Sequence, residues 1–181
     1  MRKFLFLPLL ALLASCGKNE DCDIVTPQPE DLVSPALYAT LSQSSTDPYN
    51  GPLEVLPCET NGSFYIGNYT AKGKQVPFPA YYLITNGIGK SQKYPLRLPV
   101  GTYNVIYWGY PDYFGTAGDA YLADPTLIIG KKLNTTSLGL RKIPGDTVYY
   151  PIHSLVYGTQ NINIGKDDLQ AHLKHASAAL S

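Results

Sequence analysis

Apolar and polar residues alternate along several short segments of the chain, as in β-strands with one buried face. The clearest is TYNVIYWGY, residues 102–110, where every second side chain falls on the same face, so we predict a central strand there. Turn formers separate the segments. Seven or eight such strands predict an all-β, two-sheet sandwich. The other predicted strands are 36–42, 62–70, 80–86, 126–130, 147–158 and 161–164.

The last segment, residues 167–181, carries two overlapping patterns. Apolar residues recur at helical spacing from Leu169 to Leu180, and local propensity favours a helix with Asp167 as its N-cap. Alternate residues from Leu169 also fit a two-residue period in part. The pattern alone therefore leaves this segment open between helix and strand.

The first residues form a signal segment rather than part of the fold. Met1 is followed by two basic residues and by an apolar run that ends at Ala14. That run is shorter than the ~20 residues of a membrane-spanning helix, and a basic start before a short apolar stretch is typical of a signal peptide. We therefore assign residues 1–15 to the signal peptide, 16–35 to a tether and 36–181 to the β-sandwich domain.

The end of the signal segment, LASC, resembles the lipobox of bacterial lipoproteins. In that class the thiol at the position of Cys16 is alkylated by a diacylglycerol, and a peptidase cuts before it. Acyl chains contribute ~0.8 kcal/mol per buried CH₂, so two or three anchor a chain stably. The lysine and acids that follow, residues 18–21, resemble the export signal of surface lipoproteins in the Bacteroidota. We expect an outer-membrane protein, lipid-anchored and facing the cell surface.

Composition narrows the function classes. Removing residues 1–15 from the 181 leaves 166 residues, enough for one domain. Twelve basic and fourteen acidic side chains remain, so nothing suggests nucleic acid, which requires a basic face. Fifteen tyrosines, sixteen glycines and fifteen prolines favour short strands and turns over helices. An oxidising location would permit a disulfide between Cys22 and Cys58, although two separate thiols remain the alternative.

No catalytic motif stands out in the sequence. It contains no nucleophile elbow, phosphate loop or zinc signature, so we predict neither an enzyme nor a cofactor. His172 and His175 are three residues apart, but no third ligand accompanies them, and a surface pair is the simpler interpretation. Trp108 lies inside a predicted strand, which favours a core position. The triplet at Asp146 and Thr147 resembles the short O-glycosylation motif of Bacteroidota secreted proteins.

The segment 109–125 is the strongest candidate for a binding loop. It combines aspartates with aromatic side chains, which stack on sugar rings, and it is a candidate contact or glycan loop. Two carboxylates flanking a sugar would make a glycosidase, but a structural connection with aspartates in turns explains the same residues. The candidate residues are Tyr110, Asp112, Tyr113, Phe114 and Tyr121.

Several motifs together resemble the fimbrillin superfamily. They are the lipobox, LPVGTY and YWG in residues 98–109, LVYGTQNINI in 155–164 and the closing LQAHLKHASAAL. In that superfamily, anchor and minor subunits of type V pili are lipoproteins. The resemblance implies a transthyretin-like sandwich, related to the immunoglobulin-like architecture, and a strand rather than a helix at the end of the chain.

The resemblance also implies a function. We expect a structural anchor or minor subunit of a fimbria, which assembles with other fimbrial subunits by strand addition at a sheet edge. The alternative is a surface glycan-binding lipoprotein for nutrient capture. In fimbrillin-type assembly a shaft subunit loses its first strand to an arginine- or lysine-directed protease. Residues 19–71 contain no arginine or lysine, so we predict a subunit that keeps its first strand and occupies a terminal position.

Overall fold

β-Strands account for nearly all of the regular secondary structure in the described part of the chain. The computed structural model describes residues 27–41, 47–62, 64–92, 94–109, 122–123, 127–133, 139–140, 145–147 and 155–176. A 3₁₀ turn lies at Pro29–Asp31. The strands are β1 Leu32–Val33, β2 Leu37–Leu41, β3 Asp47–Pro48, β4 Gly51–Cys58, β5 Asn68–Tyr69, β6 Gln75–Val76, β7 Ala80–Thr85, β8 Ile88–Ser91, β9 Leu98–Pro99, β10 Gly101–Gly109, β11 Leu122–Ala123, β12 Gly139–Leu140, β13 Val156–Ile164 and β14 Leu169–His175.

Seven of these strands pair into a closed ring. Their order is β14, β13, β10, β4, β7, β8 and β2, and β2 pairs again with β14. Every junction is antiparallel except β2–β14, which is parallel. The prediction of an all-β fold is confirmed. The pairing runs continuously around one barrel-like sheet, so it does not divide the strands into the two sheets that we expected.

The centre of the ring is the strand that the alternation predicted. β10 pairs with β13 along nine residues and with β4 along six. Tyr107 points inward and is fully buried, and its hydroxyl donates to Gln160 Oε1 at 2.6 Å. Trp108 points outward and is half-buried, and its indole N–H donates to the Glu54 carboxylate. The prediction of a core position for Trp108 was therefore wrong, because it falls on the opposite face from Tyr107.

Three segments differ from their sequence predictions. β4 was not predicted, because Pro52 and Pro57 argue against a central strand. The segment 62–70 was predicted as one strand, but its described residues form isolated bridges at Phe64 and Tyr65 and the two-residue β5. Residues 127–130, predicted as strand, form the start of a turn.

The C-terminal segment is a strand as far as it is described. β14 covers Leu169–His175, so the implication of the resemblance was right and the local helix propensity was wrong. Asp167 does not cap a helix. Its carboxylate accepts from Asn163 N–H at 3.1 Å and closes the turn between β13 and β14. Pairing to β13 and β2 on both sides outweighs the weak preference of the segment for a helix.

The core fills the inside of the ring. Alternate residues of β2, β4, β7, β10, β13 and β14 supply it, as a period of two requires. The fully packed members are Leu37, Ala39, Tyr49, Leu53, Val55, Ala80, Tyr82, Ile84, Leu96, Leu98, Val105, Tyr107, Val156, Ile162, Ile164, Leu169, Ala171 and Leu173.

A short N-terminal strap precedes β2. It comprises residues 27–33, that is, the 3₁₀ turn and β1. β1 pairs with β9 through two residue pairs. Pro27 passes close to Gly73, where an added Cβ would lie 3.0 Å from the Pro27 carbonyl oxygen. Two-stranded pairings also join β5 with β6 and β11 with β12.

Candidate functional site

The candidate site is the position of β2 in the ring, which we call the β2 slot. The slot is the space between β14 on one side and β8 with β3 on the other. Within it, Leu37 and Ala39 point inward and are buried, while Tyr38 is 41% exposed on the outer face. This alternation allows one five-residue strand to close the barrel and complete its core.

The β14 side of the slot is parallel and in register. Five residue pairs join the strands from Leu37–Leu169 to Leu41–Leu173. The two sequences, LYATL and LQAHL, share the pattern Leu-x-Ala-x-Leu. Each inward-facing layer therefore brings together two identical apolar side chains, with the small alanines in the middle.

Hydrogen bonds hold the N-terminal end of β2 to the start of β14. Ala36 stands just before β2, and its carbonyl oxygen accepts from Leu169 N–H at 2.9 Å. Its own N–H donates to Asp168 Oδ1 at 3.2 Å. On the outer face, Thr40 Oγ1 and His172 Nδ1 are hydrogen-bonded at 3.0 Å.

The other side of the slot is formed by a turn rather than by a long strand. Ala39 N–H donates to the Gly87 carbonyl at 2.8 Å, and the Ala39 carbonyl accepts from Tyr49 N–H at 3.0 Å. Asn86 and Gly87 both have positive φ, 49° and 77°, as a tight Asn-Gly hairpin turn requires. Only the pair Tyr38–Ile88 joins β2 to β8.

A close packing contact seals this second side. A Cβ added to Gly89 would lie 3.0 Å from Leu37 Cβ, so the absence of a side chain at Gly89 lets Leu37 close against β8. Without β2 the ring would lose its pairing between β14 and β8. The slot is thus the place where β2 closes the ring.

The structure places some of the other predicted site residues. Cys58 is a fully buried free thiol, and burial raises its pKa to about 12. Its predicted partner Cys22 lies outside the described residues, so the disulfide stays a prediction. Thr147 is exposed, as a glycosylated residue must be, and its modification also stays a prediction.

Other candidates lie outside the described residues. They are Cys16 and the candidate contact or glycan loop with Tyr110, Asp112, Tyr113, Phe114 and Tyr121. What the structure does show is where that loop begins. β10 ends at Gly109, beside Val156. The strap enters at the opposite end of the ring, near Gly101, Ile164 and Leu37.

The histidine pair lies on β14 rather than on a helix. His172 and His175 are both exposed, which fits a surface location. Across the described ranges, no three histidine, cysteine, aspartate or glutamate side chains come together as metal ligands. No helix among the described residues is long and apolar enough to cross a membrane.

The β2 slot was not found from the sequence as a site. Residues 36–42 were predicted as a strand. Its partners are β14, which begins 132 residues after the start of β2, and the turn at Gly87. The signal that was available was the shared Leu-x-Ala-x-Leu pattern in the two segments. It becomes informative only when the strands are known to be neighbours.

Comparison with known proteins gives a family match. No curated protein and no solved structure matched the chain. A family model described as "Fimbrillin-A associated anchor proteins Mfa1 and Mfa2" matches residues 25–181.

Proposed function

Because the chain belongs to the family of the fimbrillin-A associated anchor proteins Mfa1 and Mfa2, we propose that it attaches a fimbria to the outer membrane as a terminal subunit. The family consists of structural anchor proteins rather than enzymes. Its partners in this proposal are other fimbrial subunits on one side and the membrane, through a lipid, on the other.

The occupied slot carries the terminal position, and the sequence around β2 supports it. β2 occupies its own slot and completes the ring on both sides. The segment that precedes and includes it, residues 19–71, has no arginine or lysine at which a basic-directed protease could release it. A chain that keeps β2 has no vacant slot for a donor strand. In assembly by strand addition it would therefore supply the strand and its partner the slot.

The membrane side of the proposal rests on Cys16. Residues 1–15 would be removed, Cys16 would carry the acyl chains, and residues 16–35 would link the lipid to the domain of residues 36–181. From Cys16 to Pro27 are eleven residues, which span at most ~40 Å when extended. The strap enters the ring beside Gly101 and Ile164, so the proposal orients that end toward the membrane and the Gly109 end toward the fimbria.

A reversible lock on β2 tests the terminal position. Thr40 and His172 face each other on the outer surface, so Thr40→Cys with His172→Cys should allow a disulfide between the strands. The proposal expects cells with the locked protein to carry as many attached fimbriae as cells with the same protein under reducing conditions. Each single cysteine variant serves as a control for the substitution itself.

The outcomes of the lock experiment are distinct. Loss of attached fimbriae in the oxidised form alone would show that β2 has to leave its slot, and would contradict the terminal position. Capture of the protein from shed surface material should also recover fimbrial shaft subunits. Recovery of soluble polysaccharide without any fimbrial subunit would instead favour the glycan-binding function, which depends on residues 110–121.

A further inference from the structure

We propose that the parallel β2–β14 seam is a mechanical clamp, which takes tension from the N-terminal tether and resists it in shear. This inference rests on the proposed function, because tension reaches β2 only when the tether is fixed and a fimbria pulls on the domain. The juxtaposition that suggests it is the pairing of the strand nearest the tether with a parallel strand across five residues.

The direction of the strands determines how the seam is stressed. The tether-side ends of β2 and β14, at Leu37 and Leu169, lie side by side. The far end of β14, at His175, lies beside Val156 and close to Gly109. A pull on the tether against a pull from that far end moves β2 along its own axis. The inter-strand hydrogen bonds run across this axis, so all five pairs are strained together.

The seam is built to resist that movement. Its tether-side end is held by two hydrogen bonds to the start of β14, since the Ala36 carbonyl accepts from Leu169 N–H and the Ala36 N–H donates to the Asp168 carboxylate. Its inner face is covered by three apolar layers, which end with Leu41 and Leu173. The Thr40–His172 hydrogen bond adds a contact on the outer face. Sliding β2 by one residue would also turn its inward side chains to the outer face.

The strap in front of β2 is much weaker. β1 holds to β9 through two residue pairs, Leu32–Pro99 and Val33–Leu98, and both its residues are half-buried. Tension on the tether reaches these residues before it reaches Ala36. The strap should therefore detach first, at low force, and lengthen the tether by up to ~35 Å as residues 27–36 extend, while the clamp keeps the ring closed.

Two pulling geometries on the same chain test the clamp. The mature chain, residues 16–181 with Cys16→Ser and Cys22→Ser, is held by a tag on the tether. The second handle is a thiol at one of two exposed lysines, Lys174→Cys or Lys166→Cys. Lys174 is near the far end of β14, so this pull shears the seam. Lys166 lies in the turn beside Leu169, so this pull separates the strands one pair at a time.

At equal pulling speed, the main unfolding force should be at least about twofold higher with the Lys174 handle than with the Lys166 handle, because forced unfolding follows the unfolding barrier. Both geometries should show the same early low-force extension of the strap. Equal main forces in the two geometries, or a lower force with the Lys174 handle, would overturn the clamp. The test needs no partner, so it stands or falls separately from the fimbrial function.

Discussion

The centre of the ring and the β2 slot close the same barrel by different means. At the centre, β10 is nine residues long and pairs along its whole length with β13. In the slot, β2 is five residues long and has one residue pair with β8 and two with β3 on one side, and a parallel seam with β14 on the other. The local sequence pattern therefore determines the central strand, whereas the slot is closed by a short strand that depends on its neighbours.

This difference predicts different local stabilities for the two regions. The long antiparallel centre has the most extensive strand pairing and should unfold last. In this chain the surroundings of β2 favour keeping it, since Ala36, Ala39 and Thr40 each have partners outside their own strand.

The largest effect should come from truncating the centre. Tyr107→Ala removes a fully buried ring and should lower the free energy of unfolding by ~3–5 kcal/mol, measured by urea denaturation. Tyr157→Ala is the matched control, since Tyr157 lies on the neighbouring strand but is 47% exposed, and it should change stability by less than ~1 kcal/mol. An equal loss of unfolding free energy in the two variants would contradict the assignment of Tyr107 to the inner face and Tyr157 to the outer face of the ring.

A smaller and more local effect is expected in the slot. Leu37→Ala should cost ~2–4 kcal/mol, because Leu37 is buried against Gly89 and Leu169. Hydrogen exchange should accelerate in β2 and in the residues that pair with it, while β10 and β13 keep their protection. Tyr38→Ala, on the exposed side of the same strand, is the control. Accelerated exchange throughout β10 after Leu37→Ala would show that the slot and the centre open as one unit.

Alkaline pH should weaken the centre through Cys58. Burial raises the pKa of this thiol from 9.0 to about 12, so above pH 9 the unfolded chain loses a proton that the folded chain keeps. Stability from this group is therefore complete below pH 9 and falls between pH 9 and 12, by about 1.4 kcal/mol per pH unit. Under reducing conditions, at pH 10.5 this amounts to ~2 kcal/mol.

Comparing Cys58→Ala with the parent chain measures that contribution, together with the smaller effect of the Cys58 charge on the pKa of Tyr65. Buried tyrosines such as Tyr65 and Tyr82, whose pKa values burial also raises, give both proteins a decline above pH 10. The parent should lose more stability than the variant between pH 8 and 10.5. The same decline in both proteins would mean that the thiol does not stay neutral in the folded state.

The smallest effect should come from the outer face of the seam. Thr40→Val removes the hydrogen bond to His172 and keeps the shape of the side chain, so it should cost ~0.5–1 kcal/mol. A double-mutant cycle with His172→Ala measures the coupling of the two residues. A coupling energy near zero would mean that the Thr40–His172 hydrogen bond does not stabilise the seam, and that its backbone pairs and apolar layers do.

The sequence predicted the centre better than the slot, and the reason is physical. Nine residues of local alternation predict β10. The two prolines of β4 argue against a strand, and only the pairing of β4 with its neighbours stabilises one there. Residues 167–181 have helical spacing, and only their position between β13 and β2 makes a strand of their described part. The Thr40–His172 contact joins residues 132 positions apart, and a local sequence pattern cannot predict a contact between such distant positions.

The mature N-terminus of the cell-surface protein tests the central claim most directly. Intact-mass and peptide mass spectrometry of protein recovered with attached fimbriae should find a chain that begins at acylated Cys16 and retains residues 37–41. Such a chain keeps β2 in its slot and its lipid in the membrane, as a terminal anchor must. A mature N-terminus within residues 30–75, without an acyl group, would contradict the account, because that chain would have lost its lipid anchor.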